Sequence, residues 1–123
     1  MIAVDTCSFI AYLNGLQGKD VDLIEEQLSN SRVIMPPCVL AELLSSPTLS
    51  TEMKKFFNEF PTMELLPGYW KRTGLLRASV IAKKRKARLG DALITQFCLD
   101  HRLALVTRDT DYKVYEGAGL RVL

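Results

Sequence analysis

Apolar positions fall into short runs and helical stripes that alternate along the chain. Ile2-Ala3-Val4 is a compact apolar run and predicts a short buried strand. Ser8 to Leu13 reads as a helix, stopped by Asn14-Gly15. After a turn at Gly18-Lys19-Asp20, with Asp20 as a cap, Val21, Ile24 and Leu28 share one helical face. Arg32 to Met35 predicts a second strand, and Pro36-Pro37 suits the helix start that follows it. That helix carries Val39, Leu40, Leu43 and Leu44, and Ser45-Ser46-Pro47 closes it. Ser50 opens another helix through Met53, Phe56, Phe57 and Phe60. Met63 to Leu66 is expected to be a short strand, ended by Pro67-Gly68.

The second half repeats the alternation. A long helix is expected from Tyr69 to about Lys86, broken at Arg88-Leu89-Gly90. Asp91 then opens a helix with Leu93, Ile94, Phe97 and Cys98 turned inward. Leu103 to Val106 is a buried strand, followed by a turn from Thr107 to Asp111 and a short helical piece. Leu120 to Leu123 is expected as an edge strand. Fully apolar strands alternating with helices predict an α/β fold with a mostly parallel sheet covered on both faces. No repeat, linker or low-complexity stretch interrupts the pattern, so a single domain over residues 1–123 is expected.

Composition narrows the class. Hydrophobic residues make up 48% and charged residues 24%, as in a globular protein. No apolar run approaches the ~18 residues of a membrane helix, and no secretory signal is visible. Cys7, Cys38 and Cys98 form no CxxC pair. Three reduced, mostly buried thiols and a cytoplasmic protein are expected. The net charge is only +2, but its distribution is uneven. Lys71, Arg72, Arg77, Lys83, Lys84, Arg85, Lys86 and Arg88 lie in a stretch without an acid, which suggests an anionic partner.

The acids suggest the chemistry. Ligands of open parallel sheets bind outside the carboxyl ends of the strands. Asp5 directly follows the first strand, and Asp109 and Asp111 follow the strand ending at Val106. Glu42 lies in the early turns of a helix after the second strand, and Asp91 lies at another helix start. Asp5, Glu42, Asp91 and Asp109 are therefore expected to meet at one sheet edge. Two carboxylates ~4 Å apart repel by about 4 kcal/mol at an intermediate dielectric. A hard divalent cation offsets that repulsion, and Mg²⁺ takes oxygen ligands at ~2.0–2.1 Å. On this reading the first strand exists to hold Asp5 as a metal ligand. Each acid also has a purely structural reading. Asp5 and Asp91 can cap helices, Asp109 or Asp111 can make an Asx turn, and Glu42 can be an exposed helical stripe.

Four segments, VDTCSFI, PPCVLAELL, LGDALITQFCL and LALVTRDTDY, occur in that order and together resemble the PIN-domain ribonucleases. The match is closest to the small toxins of type II toxin–antitoxin pairs, and it covers essentially the whole chain. The resemblance implies a PIN-like three-layer α/β/α fold and a Mg²⁺- or Mn²⁺-dependent endoribonuclease. Asp5, Glu42, Asp91 and Asp109 match the family's catalytic acids, with Asp5, Asp91 and Asp109 as metal ligands. Thr6, Ser8, Thr107 and Asp111 would support them. The position after Thr6 is often Ser or Asn in the family and is Cys7 here, a poorer hydrogen-bond partner.

The resemblance also implies RNA as substrate, a cognate antitoxin protein and a homodimer. Lys83, Lys84, Arg85, Lys86 and Arg88 would line an electrostatic rim for RNA phosphates, or form only a solvated helix end. Tyr69 and Trp70 are expected in packing or a dimer contact, and His101 at the surface. There is no GxGxxG and no GxxxxGK[ST], which disfavours nucleotide-cofactor folds. The competing expectation is a non-catalytic RNA-binding or adaptor domain with a relic pocket. Neutralising Asp5 or Asp91 is expected to abolish cleavage and to leave the metal-free fold as stable or more so, by relieving repulsion.

Overall fold

A computed structural model describes residues 1–123. Three short parallel strands form the centre: β1 (Ile2–Val4), β2 (Val33–Ile34) and β3 (Ala104–Val106), in the order β2-β1-β3. Ile2 pairs with Val33 on one side and with Ala104 on the other, and Val4 pairs with Val106. Successive strand residues point to opposite faces, and every residue of the three strands is buried. Both faces of the sheet are therefore covered by helices, as the apolar runs predict.

The helices are α1 (Thr6–Leu13), α2 (Lys19–Ser29), α3 (Pro37–Leu44), α4 (Thr51–Asn58), α5 (Tyr69–Ala82) and α6 (Leu89–His101). Residues Thr110–Ala118 form a 3₁₀ segment. Helix starts follow local chemistry. Pro37 occupies the first turn of α3, and the Ser50 hydroxyl accepts from the Met53 amide at 3.2 Å to cap α4. Phe9 of α1, fully buried, meets Phe57 at 6.1 Å and Phe60 at 5.5 Å between ring centres. These rings fasten α1 to the α4 region and hold the helix that follows Asp5.

Several boundaries differ from expectation. Met63 to Leu66 is irregular, and Leu65 and Leu66 are exposed. A strand needs a ladder, and the neighbouring chain offers only one bond, from the Met35 amide to the Pro61 carbonyl. The carboxyl end contributes a single parallel bridge, Val122 to Leu105, rather than a full edge strand. Helix α2 starts at Lys19 with Gly18 as its cap, while the Asp20 side chain is bound to Arg108. Helix α5 stops at Ala82, because Lys84 takes a left-handed conformation with φ 58°. Gly90 lies inside α6, which begins at Leu89 with Arg88 as its cap. Cys7 is exposed and Cys38 half-buried, so only Cys98 is a buried thiol, and all three are free. His101 is half-buried against Phe97, its Nε2 2.9 Å from the Glu64 carbonyl. No helix is long and apolar enough to cross a membrane.

Candidate active site

The chain leaves β1 toward β2 on one side and reaches β3 on the other, so a crevice opens at the carboxyl ends of β1 and β3. Asp5 sits at this edge. Its amide donates to the Val106 carbonyl at 3.3 Å, extending the ladder by one step. Its side chain is buried and accepts three hydrogen bonds. Oδ1 accepts from the Ser8 amide at 2.9 Å, which caps α1. Oδ2 accepts from the Cys7 thiol at 3.1 Å and from the Thr107 hydroxyl. Asp5 thus does cap a helix and also faces the crevice.

Thr107 ties the two strand ends together. Its hydroxyl donates to Asp5 and accepts from the Asp109 amide at 3.0 Å. Asp109 Oδ1 then accepts from the Asp111 amide at 2.9 Å, an Asx turn that starts the 3₁₀ segment. Ser8 works from the opposite side, its hydroxyl accepting from the Arg108 amide at 2.9 Å. The Arg108 guanidinium in turn grips Asp20 at 2.8 Å. Thr6 donates to Glu42 Oε1 at 2.9 Å and so draws α3 to the start of α1.

Asp5, Glu42, Asp91 and Asp109 line one cleft of ≈ 140 Å³, with Thr6, Cys7, Arg88, Ile94 and Tyr112. Four acids remote in sequence therefore share a single pocket with one cation. Two of these acids, Asp91 and Asp109, form a tight group with Asp111 beside the cleft, the three offering ligand atoms within 4.8 Å of one another. Asp5 lines the cleft but is not one of that trio. Burial pushes the Asp91 carboxyl above its ordinary range; Arg88 pulls it down, and the charges of Asp109 and Asp111 push it up. Although Cys7 as a residue is exposed, its sulfur is partly buried against Asp5, and that desolvation, with the hydrogen bond to Asp5, pushes the thiol up to about 11, so it is protonated at neutral pH. A larger groove of ≈ 310 Å³ lies away from the acids, among Leu28, Val33, Phe56 and Phe60.

Lys83, Lys84, Arg85 and Lys86 are exposed in the loop between α5 and α6. Arg88, at the end of the same run, is turned into the cleft instead. It contacts Asp91 at 3.4 Å, Asp109 at 3.2 Å and Asp111 at 3.0 Å. Tyr69 is buried and donates to the Leu93 carbonyl at 2.6 Å, whereas Trp70 is exposed. Tyr112 is the cleft residue that sequence reasoning missed. Its ring is buried while the residue lines the acids, and the only sequence signal is its position directly after Asp111.

No curated protein sequence matches the chain. Solved structures do. FitAcB from Neisseria gonorrhoeae superposes with a TM-score of 0.74 over 100% of this chain and 96% of that chain, at 18% identity. VapBC2 from Rickettsia felis, bound to a promoter DNA fragment, gives 0.75 over 100% and 98%, at 19% identity. VapBC-5 from Mycobacterium tuberculosis, of the VapBC family of toxin-antitoxin systems, gives 0.64 over 99% and 96%, at 19% identity. At such identities these likenesses establish the fold. A family model described as PIN domain matches residues 2–118. That match spans nearly all of the 123 residues and decides descent where identity alone does not: the chain belongs to the PIN domain family.

Proposed function

We propose that the chain, one domain over residues 1–123, is a Mg²⁺- or Mn²⁺-dependent endoribonuclease that hydrolyses RNA phosphodiester bonds. We further assign it as the toxin of a type II toxin–antitoxin pair. The observation that carries the reading is the convergence of Asp5, Glu42, Asp91 and Asp109 in one cleft. Membership of the PIN family, whose domains are generally nucleases, supports it. The likeness to FitAcB and to VapBC assemblies supports the toxin assignment.

The donor set fits a hard ion. Ligands of one octahedral Mg²⁺ stand about 3–4 Å apart, close to the spread of the Asp91, Asp109 and Asp111 oxygens. Asp5, Asp91 and Asp109, which share the cleft, would hold the ion, with Asp111, clustered with Asp91 and Asp109, supporting them. When bound, the ion supplies Lewis-acid polarisation of the phosphate and of the attacking water. The chain's own residues do the rest. Thr107 and the Ser8 amide fix Asp5, and Thr6 aims Glu42 at the cleft, where it can accept a proton from water. No nucleophilic side chain is required, and the protonated Cys7 thiol is not one. The exposed Lys83, Lys84, Arg85 and Lys86 would hold phosphates of the flanking RNA. An antitoxin would cover the cleft or its rim. A second copy would pack on exposed apolar residues of α5 such as Trp70 and Leu75.

The test is cleavage of structured RNA by purified protein with Mg²⁺ or Mn²⁺, repeated in EDTA and with Asp91→Asn. Metal-dependent cleavage lost in the variant is expected. Cleavage that persists in EDTA overturns the metal mechanism. RNA binding without cleavage under every condition returns the chain to a non-catalytic RNA-binding domain.

A further inference from the structure

Arg88 stands where the proposed function needs a cation. Its guanidinium reaches Asp91, Asp109 and Asp111, the same three residues whose oxygens cluster within 4.8 Å. The guanidinium presents five N–H donors in a planar fork and does not deprotonate in proteins, so a change of pH does not remove it. A divalent ion on these carboxylates would have to share them with the guanidinium that already contacts Oδ2 of all three. The two cations therefore compete for one set of oxygens. Arg88 is also free to leave. Its side chain is 53% exposed and makes no capping hydrogen bond to α6, although the residue holds the N-cap position at the end of the exposed basic loop.

Resting on the reading above, we propose that Arg88 is a resident counter-cation: it holds Asp91, Asp109 and Asp111 together in the ion-free protein, and a divalent ion must displace it to bind. Two consequences follow from linkage. The apparent ion affinity is reduced by the fraction of molecules in which Arg88 occupies the trio. A phosphate-bearing ligand that draws Arg88 outward raises ion affinity, and the ion raises affinity for that ligand by the same factor. Arg88 would thus keep the site closed until anionic substrate and ion arrive together.

The test measures Mn²⁺ binding by electron paramagnetic resonance on the whole chain, with no activity readout. Arg88→Gln is expected to bind Mn²⁺ about three- to tenfold more tightly than the wild type. Arg85→Gln removes one charge from the same run, at a residue that makes no ion pair, and is expected to shift affinity less than about twofold. In the wild type, Mg²⁺ is expected to move the Arg88 Nε–H resonance, identified by its loss in Arg88→Gln. Unchanged or weaker binding in Arg88→Gln, an equal gain in Arg85→Gln, or an unmoved resonance overturns the proposal. Absence of Mn²⁺ binding, or binding that survives Asp91→Asn unaltered, overturns the ion site itself and this proposal with it. Binding that depends on Asp91 and ignores Arg88 overturns this proposal alone.

Discussion

Asp5 and Asp91 are alike as letters and unlike as side chains. Asp5 is 2% exposed and uses its oxygens on the Ser8 amide, the Cys7 thiol and the Thr107 hydroxyl. Asp5→Asn keeps an acceptor for Ser8 but turns an NH₂ toward two donors. The metal-free fold is expected to lose about 1–3 kcal/mol by urea denaturation in EDTA. Asp91→Asn removes a carboxylate whose charge the fold disfavours, and the same measurement is expected to show equal or greater stability. A sequence reading that expects both changes to relieve repulsion treats the two acids as one class. The structure separates them by what each oxygen touches. Both variants are expected to abolish cleavage.

The same residues set the pH dependence. The folded state raises the Asp91 pKa, so folded protein holds that proton more tightly than the unfolded chain. Asp91 therefore costs stability as pH rises from the ordinary carboxylate value through the raised one. Asp20 runs the other way, since the hydrogen bond from Arg108 lowers its pKa from the ordinary 3.8. Its contribution is present above 3.8 and is lost as pH falls through the lowered value. Denaturation midpoints in EDTA, compared between wild type and each Asn variant, are expected to show both slopes. Asp91→Asn should lift stability most near neutral pH, and Asp20→Asn should lower it there and flatten the acid limb.

At the scale of elements, the α5–α6 connection decides how the basic run is used. A helix through Lys86 would have spread these cations around a cylinder. The break at Ala82 instead leaves Lys83 to Lys86 in an exposed loop and lets Arg88 turn inward. Left-handed backbone costs a residue with a Cβ roughly 1–2 kcal/mol, and Lys84 occupies that region at φ 58°. Lys84→Gly is expected to stabilise the protein by about 0.5–1 kcal/mol, read by thermal or urea melts. Lys84→Glu with Arg85→Glu is expected to weaken RNA binding and to flatten its dependence on salt. Binding that is indifferent to the reversal would leave the run as solvated surface only. The two experiments separate backbone strain at Lys84 from phosphate attraction by the run.

For the whole molecule, a site that couples the first strand, α6 and the segment after β3 ties ion binding to folding. An ion bound only by the folded chain adds about 2.7 kcal/mol at a hundred times its dissociation constant. Mg²⁺ or Mn²⁺ is therefore expected to raise the melting temperature, EDTA to reverse the shift, and Asp91→Asn to erase it. A shift of equal size in the variant would place the ion elsewhere.

Much of this protein was written in its sequence. Apolar runs at Ile2–Val4 and Leu103–Val106 predicted buried parallel strands, because only strands covered on both faces lack polar alternation. The rule that parallel sheets bind ligands at their carboxyl edge is enough to place Asp5 and Asp109 together. Glu42 and Asp91 joined them on local helix signals and on resemblance to a family. What the sequence could not decide was direction and partnership. Met63 to Leu66 had strand-like letters but no ladder to join, and α5 ended on a dihedral angle rather than a residue type. Arg88 was one more basic letter in a run until folding aimed it at three carboxylates. Asp111 moved into the tightest trio, and Tyr112 into the cleft wall, through the turn that Asp109 and Thr107 impose. Local propensity and period fix which elements form. Which oxygens meet depends on distances between segments up to about a hundred residues apart, such as Thr107 and Asp5, and only the packed chain sets those.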